Sequence, residues 1–144
     1  MKINFVKLDK NAVTPTYGSS ASAGADLYAL CDDIIIKPHE TILIHTGIAV
    51  EIPEGYVGLV FARSGLASKR SLAPANKVGV IDSDYRGEIM VALHNHSESE
   101  QSIASKERIA QLVIAPYITA DFNEVSELCD TDRGANGFGS TGRN

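Results

Sequence analysis

The sequence predicts an all-β fold, a sandwich or a jelly roll. Its apolar residues recur mostly with period two rather than 3.6. Turn chemistry interrupts them about every ten residues, the spacing of short antiparallel strands. One stretch alone breaks this pattern with the look of a short helix.

Ile42, Ile44 and Thr46 alternate, followed by Ile48, Val50 and Ile52, and then by Val57, Leu59 and Phe61. Ile89, Val91 and Leu93 repeat the pattern, as do Ile109, Gln111 and Val113. Successive strand side chains point to opposite faces, so each set reads as one face of a strand. Lys37-Pro38, Pro53-Glu54-Gly55, Asp82-Ser83-Asp84, Asn95-His96-Ser97 and Ala115-Pro116 read as the intervening turns. Ser64 to Ser71 holds a turn or two of helix, with Ser64 as its N-cap. No internal repeat or linker divides the chain. Residues 1–129 read as one body, and residues 130–144 as a glycine-rich arm of the same domain.

The chain has 144 residues, 44% hydrophobic and 22% charged, enough for one domain with a real core. Thirteen basic against eighteen acidic residues leave a net charge of −5, which argues against a nucleic-acid or anionic-membrane partner. It leaves room for an anionic small ligand in a locally positive pocket. Cys31 and Cys129 are too few for a disulfide framework or a four-cysteine zinc site. No signal-peptide core and no apolar run near ~18 residues is present, so the expectation is a soluble protein of the cytoplasm, or of the host cell interior if viral.

The arm carries four glycines and one large apolar residue, Phe138. Alone, it cannot offset its ordering entropy. It reads either as a disordered tail or as a lid that orders on a ligand. In the second reading its backbone N–H groups converge on an anion, and Ser140 and Thr141 add hydroxyls. Arg133 and Arg143 add charge, and Phe138 offers a stacking face for a base. Gly137-Phe138-Gly139-Ser140-Thr141-Gly142 has dinucleotide-fingerprint spacing, but the chain ends two residues later, where a helix would have to open. Gly134 and Gly139 have P-loop spacing, yet Ser140 stands where the lysine belongs.

Other clusters are sparser. His94 and His96 share a strand face but have no third ligand nearby in sequence, and they read as a solvated strand end. No nucleophile elbow occurs. Asp82 ends an apolar strand within Gly79-Val80-Ile81-Asp82-Ser83-Asp84-Tyr85-Arg86-Gly87. It is either part of a polar hairpin turn or a general base aimed into a cleft. Arg63-Ser64-Gly65 opens the helix, as a capped surface turn or as an anion site. Asp26 follows Gly24, and Gln111 sits among apolar strand residues, either as a core amide or as one that reaches phosphate.

Five stretches, in order, resemble the five motifs of the trimeric deoxyuridine triphosphatases (dUTPases). They are Ala23 to Leu27, Arg63 to Leu66, Gly79 to Gly87, Arg108 to Leu112, and Arg133-Gly134 with Gly137 to Gly142. The departures are Lys106 and Asn136, where that family usually carries glycine. The resemblance implies a distorted jelly-roll β-barrel with one short helix and a flexible C-terminal arm. It also implies a homotrimer with active sites between subunits, and Mg²⁺-assisted hydrolysis of dUTP to dUMP and pyrophosphate. This would limit uracil incorporation into DNA and supply dUMP for dTMP synthesis.

By the same resemblance Asp82 activates the attacking water and Tyr85 packs on the deoxyribose. Asn76 with the Gly79, Val80 and Ile81 backbone reads uracil, and Phe138 stacks on it. Arg63, Ser64, Gly65, Gln111, Arg133, Gly139, Ser140 and Thr141 hold the phosphates. Asp26 anchors the metal through water. The related dCTP deaminases place a catalytic glutamate ten residues after the aspartate, where this chain has Ala92. A non-catalytic nucleotide binder would lack a motif residue, whereas Asp82, Tyr85 and Phe138 are all present. A structural jelly roll leaves the polar clusters and the arm unexplained.

Overall fold

The computed structural model describes residues 1–137. Among them the strands are β1 (Asn4–Lys7), β2 (Thr16–Tyr17), β3 (Ala25–Tyr28), β4 (Ile34–Ile36), β5 (Thr41–His45) and β6 (Ile48–Glu51). β7 (Tyr56–Phe61) leads into the helix α1 (Ser64–Arg70). β8 (Leu72–Pro74), β9 (Val78–Ile81), β10 (Met90–Asn95), β11 (Gln101–Ile103) and β12 (Arg108–Pro116) follow. This mostly-β chain with one short helix is a jelly roll. Its largest sheet has the order β2-β3-β12-β7-β9, and a second has the order β5-β10-β8. The pairs β1-β6 and β11-β4 complete the body, and every ladder is antiparallel.

The core lies between these sheets. Leu27, Ile36, Ile44, Ile48, Leu72, Leu93, Ile103 and Ile109 are each at most 2% exposed. Each such side chain contributes about 1.5–3 kcal/mol of burial. Ile89, Val91 and Leu93 point inward as their alternation predicts. Asn95 does not belong to a solvated turn. It ends β10 fully buried, donating its amide to the carbonyls of Ile36, Lys37 and Ser99 and accepting from Ser97. A buried amide with all its partners is stable there.

Four further expectations are corrected. In β7 the core takes Gly58 and Val60, while Val57, Leu59 and Phe61 are half-buried. The Gly58 face is pressed so close that a Cβ there would meet Ile52, Ile81 and Leu112. Counting apolar side chains cannot register a core-facing glycine. In β12 the register shifts between Arg108 and Ala110, a bulge that separates Ile109 in the core from Gln111 and Val113 on the other side. Ala115-Pro116 is not a turn, because β12 runs on to Pro116 opposite Tyr56. A proline is tolerated at such a strand end. Finally, α1 is capped by Arg63 in an extended conformation, and Ser64 is already helical.

Lys106 has φ 61°, the left-handed region. A glycine would adopt that conformation without steric cost, which accounts for the family's usual residue there. Beyond β12 the chain has no regular structure through Gly137, and Ile118, Phe122 and Leu128 are each more than 80% exposed. Among the described residues no helix is long and apolar enough to cross a membrane.

Candidate active site

Two separate concavities collect the predicted site residues. The first is a cleft of about 500 Å³ beside the start of α1, lined by Gly24, Asp26, Arg63, Ser64, Arg108 and Gln111 among others. Asp26 is central β3 backbone and is held opposite Gln111 of β12 by strand register. Its carboxylate is 8% exposed as a residue and takes two guanidiniums: Arg63 Nε at 2.7 Å and Arg108 Nη1 at 3.2 Å. Two arginines against one aspartate leave the cleft with one excess positive charge. Gln111 Nε2 donates to the Ala62 carbonyl at 2.9 Å, so one of its two amide hydrogens is already engaged. The amide lies across Gly24, where any Cβ would overlap it. Gly65 has open space above its Cα. The cleft is built for an anion.

Arg108 is the residue that sequence reasoning left without a role. On a regular strand, residues 108 and 111 face opposite ways. The bulge between them turns both into the cleft. Motif spacing carries no signal for such a bulge.

The second concavity is a hollow of about 220 Å³ lined by Leu43, Val80, Ile81, Asp82, Tyr85, Glu88 and Met90. β9 ends at Ile81, and Asp82 opens the turn that the Tyr85 N–H closes onto the Asp82 carbonyl at 3.2 Å. Asp82 therefore stands at a strand end, fixed by sheet pairing on one side and by a turn on the other. The Tyr85 hydroxyl donates to the Glu88 carbonyl at 2.9 Å. Its ring lies over Gly87, where a Cβ would fall under 3.0 Å from it. Only glycine lets the ring lie there. Asn76 precedes β9, its amide against the face that Gly79 leaves free of a side chain. A larger groove of about 830 Å³ also touches Asp82, but Glu51, Glu54 and Asp84 line it against Lys2 and Arg86. The smaller hollow differs in setting Val80, Ile81 and the Tyr85 ring beside Asp82.

The two sites are apart within one chain. β9 pairs β7 with Ile81 opposite Gly58 and Val78 opposite Phe61. Asp82 thus falls beside Val57, six residues along the chain from Arg63. At roughly 3.4 Å per residue that is about 20 Å. One chain does not bring Asp82 and the cationic cleft to the same phosphate.

Arg133 lies in the irregular segment after β12, its Nε donating to the Asn136 carbonyl at 2.8 Å, and it lines neither concavity. Phe138, Gly139, Ser140 and Thr141 lie outside the described residues. Among the described residues no three His, Cys, Asp or Glu side chains cluster as metal ligands. His94 and His96 stack edge-on at 4.3 Å and belong to neither concavity.

The chain is similar to known proteins along nearly its whole length. The dUTPase family model matches residues 10–142. A deoxyuridine 5'-triphosphate nucleotidohydrolase of Nautilia profundicola is 52% identical over 143 residues, covering 99% of this chain and all of that protein. The enzyme of the same name from Hydrogenobaculum is 46% identical over 99% of each chain. Among solved structures, the Staphylococcus bacteriophage 80alpha dUTPase with dUPNHPP superposes with a TM-score of 0.92 at 32% identity, over 99% of each chain.

Proposed function

Because this chain belongs to the dUTPase family and is a dUTP-hydrolysing enzyme, we propose that Asp82 activates the water and that each site is shared between copies in a homotrimer. The observation that carries this is the separation of Asp82 from the Asp26–Arg63–Arg108 cleft along the β7-β9 ladder. A triphosphate lying between them needs a second chain to supply one half.

Water held by Asp82 attacks the α-phosphorus, and its proton passes to the carboxylate. The bond from the α-phosphorus to the bridging oxygen breaks, and pyrophosphate leaves. A carboxylate has acceptor capacity to spare, so Asp82 also takes the deoxyribose hydroxyl. Tyr85 packs on the sugar face. A 2′-hydroxyl meets its ring and is buried unpaired, at about 1–3 kcal/mol. Asn76 and the backbone of Gly79, Val80 and Ile81 read uracil O4 and N3–H, a pattern that cytosine reverses. Arg63, Ser64, Gly65 and Gln111 take phosphate oxygens. Arg133, Gly139, Ser140 and Thr141 of the arm close over them, with Phe138 on the base.

Mg²⁺ fits this donor set as an ion carried in by the triphosphate. Asp26 is tied to two guanidiniums yet keeps lone pairs that can accept from metal-bound waters. When bound, the ion neutralises charge developing on the leaving pyrophosphate. The product dUMP suits dTMP synthesis, and removing dUTP limits uracil in DNA. The expected setting is the cytoplasm.

Pyrophosphate release from dUTP, UTP, dCTP and dTTP, with and without Mg²⁺, tests the reading. A mixing experiment tests the sharing. Asp82→Asn and Arg63→Ala chains, each inactive alone, should regain activity when unfolded and refolded together. No recovery removes the shared site.

A further inference from the structure

Glu88 follows the Asp82–Gly87 turn, and the mechanism above gives it no part. Its side chain is 20% exposed and makes three bonds at once. His45 Nδ1 lies 2.8 Å from Oε2, while the Thr46 and Gly47 N–H groups donate to Oε1 at 3.1 and 2.7 Å. Gly47, at φ 67°, turns these successive N–H groups toward one acceptor. The carboxylate therefore fastens residue 88 to the β5-β6 turn. The carbonyl of the same residue receives the Tyr85 hydroxyl, and the same side chain lines the hollow. One residue thus links the ring over the hollow to an anchored turn of a neighbouring strand pair.

We propose that Glu88 is a positioning residue that sets sugar discrimination by holding the Tyr85 ring in place through its own backbone carbonyl. The proposal rests on the hollow being the nucleoside site. A ring free to swing leaves room for a 2′-hydroxyl. Losing the anchor therefore raises UTP turnover relative to dUTP, whereas a residue that merely supports the fold alters both substrates alike.

The test is the ratio of kcat/KM for dUTP over UTP, read beside the thermal midpoint. Glu88→Ala should lower the ratio about tenfold. Glu88→Gln keeps the acceptor for both N–H groups and should stay within about threefold of the parent. In a Tyr85→Ala background, Glu88→Ala should leave the ratio where it is, because the two act through one ring. His45→Ala, at an exposed residue, loosens the same carboxylate and should shift the ratio the same way. It decides the matter if Glu88→Ala fails to fold. A parental ratio in His45→Ala together with any folded Glu88→Ala protein overturns the proposal. A parent that itself fails to prefer dUTP overturns the nucleoside reading instead.

Discussion

Arg108 and Gln111 enter the same cleft although they stand three residues apart on one strand. The register shift after Arg108 is responsible, and it also aligns Gln111 with Asp26 across the ladder. Arg108 then shares Asp26 with Arg63, so the cleft keeps a cation that the aspartate does not neutralise.

Arg108→Ala should raise KM for dUTP about tenfold or more, since an ionised donor to phosphate is lost. Steady-state kinetics check this. An unchanged KM would make the arginine a partner of Asp26 alone.

Asp82→Asn keeps the shape and one acceptor oxygen but cannot take a proton. Turnover should fall by about 10²–10⁴, with dUTP affinity retained. Single-turnover kinetics and calorimetric binding separate the two effects. Parental turnover would exclude the carboxylate as base.

Lys106→Gly should stabilise the fold by about 0.5–1 kcal/mol, because glycine relieves the left-handed backbone while loosening the unfolded chain. Urea denaturation reads the change. A destabilised variant would mean that the lysine side chain contributes more than its backbone costs.

Among the described residues, none from Arg133 to Gly137 belongs to the buried core. A chain lacking residues 133–144 should fold with a parental thermal midpoint while activity falls about a hundredfold, the scale of lost phosphate donors. Full activity would make the arm an idle tail.

The Glu88 carboxyl is pushed in two directions. Burial raises its pKa, but the His45 ring and the Gly47 and Thr46 N–H groups together outweigh burial and set it below its ordinary 4.5. A lowered carboxyl pKa stabilises the fold fully above that ordinary value. The contribution is lost as pH falls through the lower folded value. Stability against acid should therefore drop more steeply below pH 4.5 in the parent than in Glu88→Gln, followed by denaturation at stepped pH. Parallel curves would contradict the assignment.

The all-β class, α1 to within a residue and the Asp82 turn were legible from alternation and turn residues. So was the division of polar residues into clusters. The phase of β7 was hidden because its core-facing residue is Gly58, which has no side chain to count. The β12 bulge was hidden because local sequence does not state register, and with it the role of Arg108. Asn95 looked like turn chemistry because an amide suits a turn and a buried junction equally. Glu88 lay unnoticed because its partners, residues 45–47, are more than forty positions away.

The β7-β9 ladder works as a spacer, keeping Asp82 and the cleft of Arg63 and Arg108 toward opposite ends of its length. Under the proposed sharing, dilution to the point of dissociation would silence every molecule without unfolding any. A copy defective in one half would disable only the site that half enters, while its sound half would still serve a neighbour.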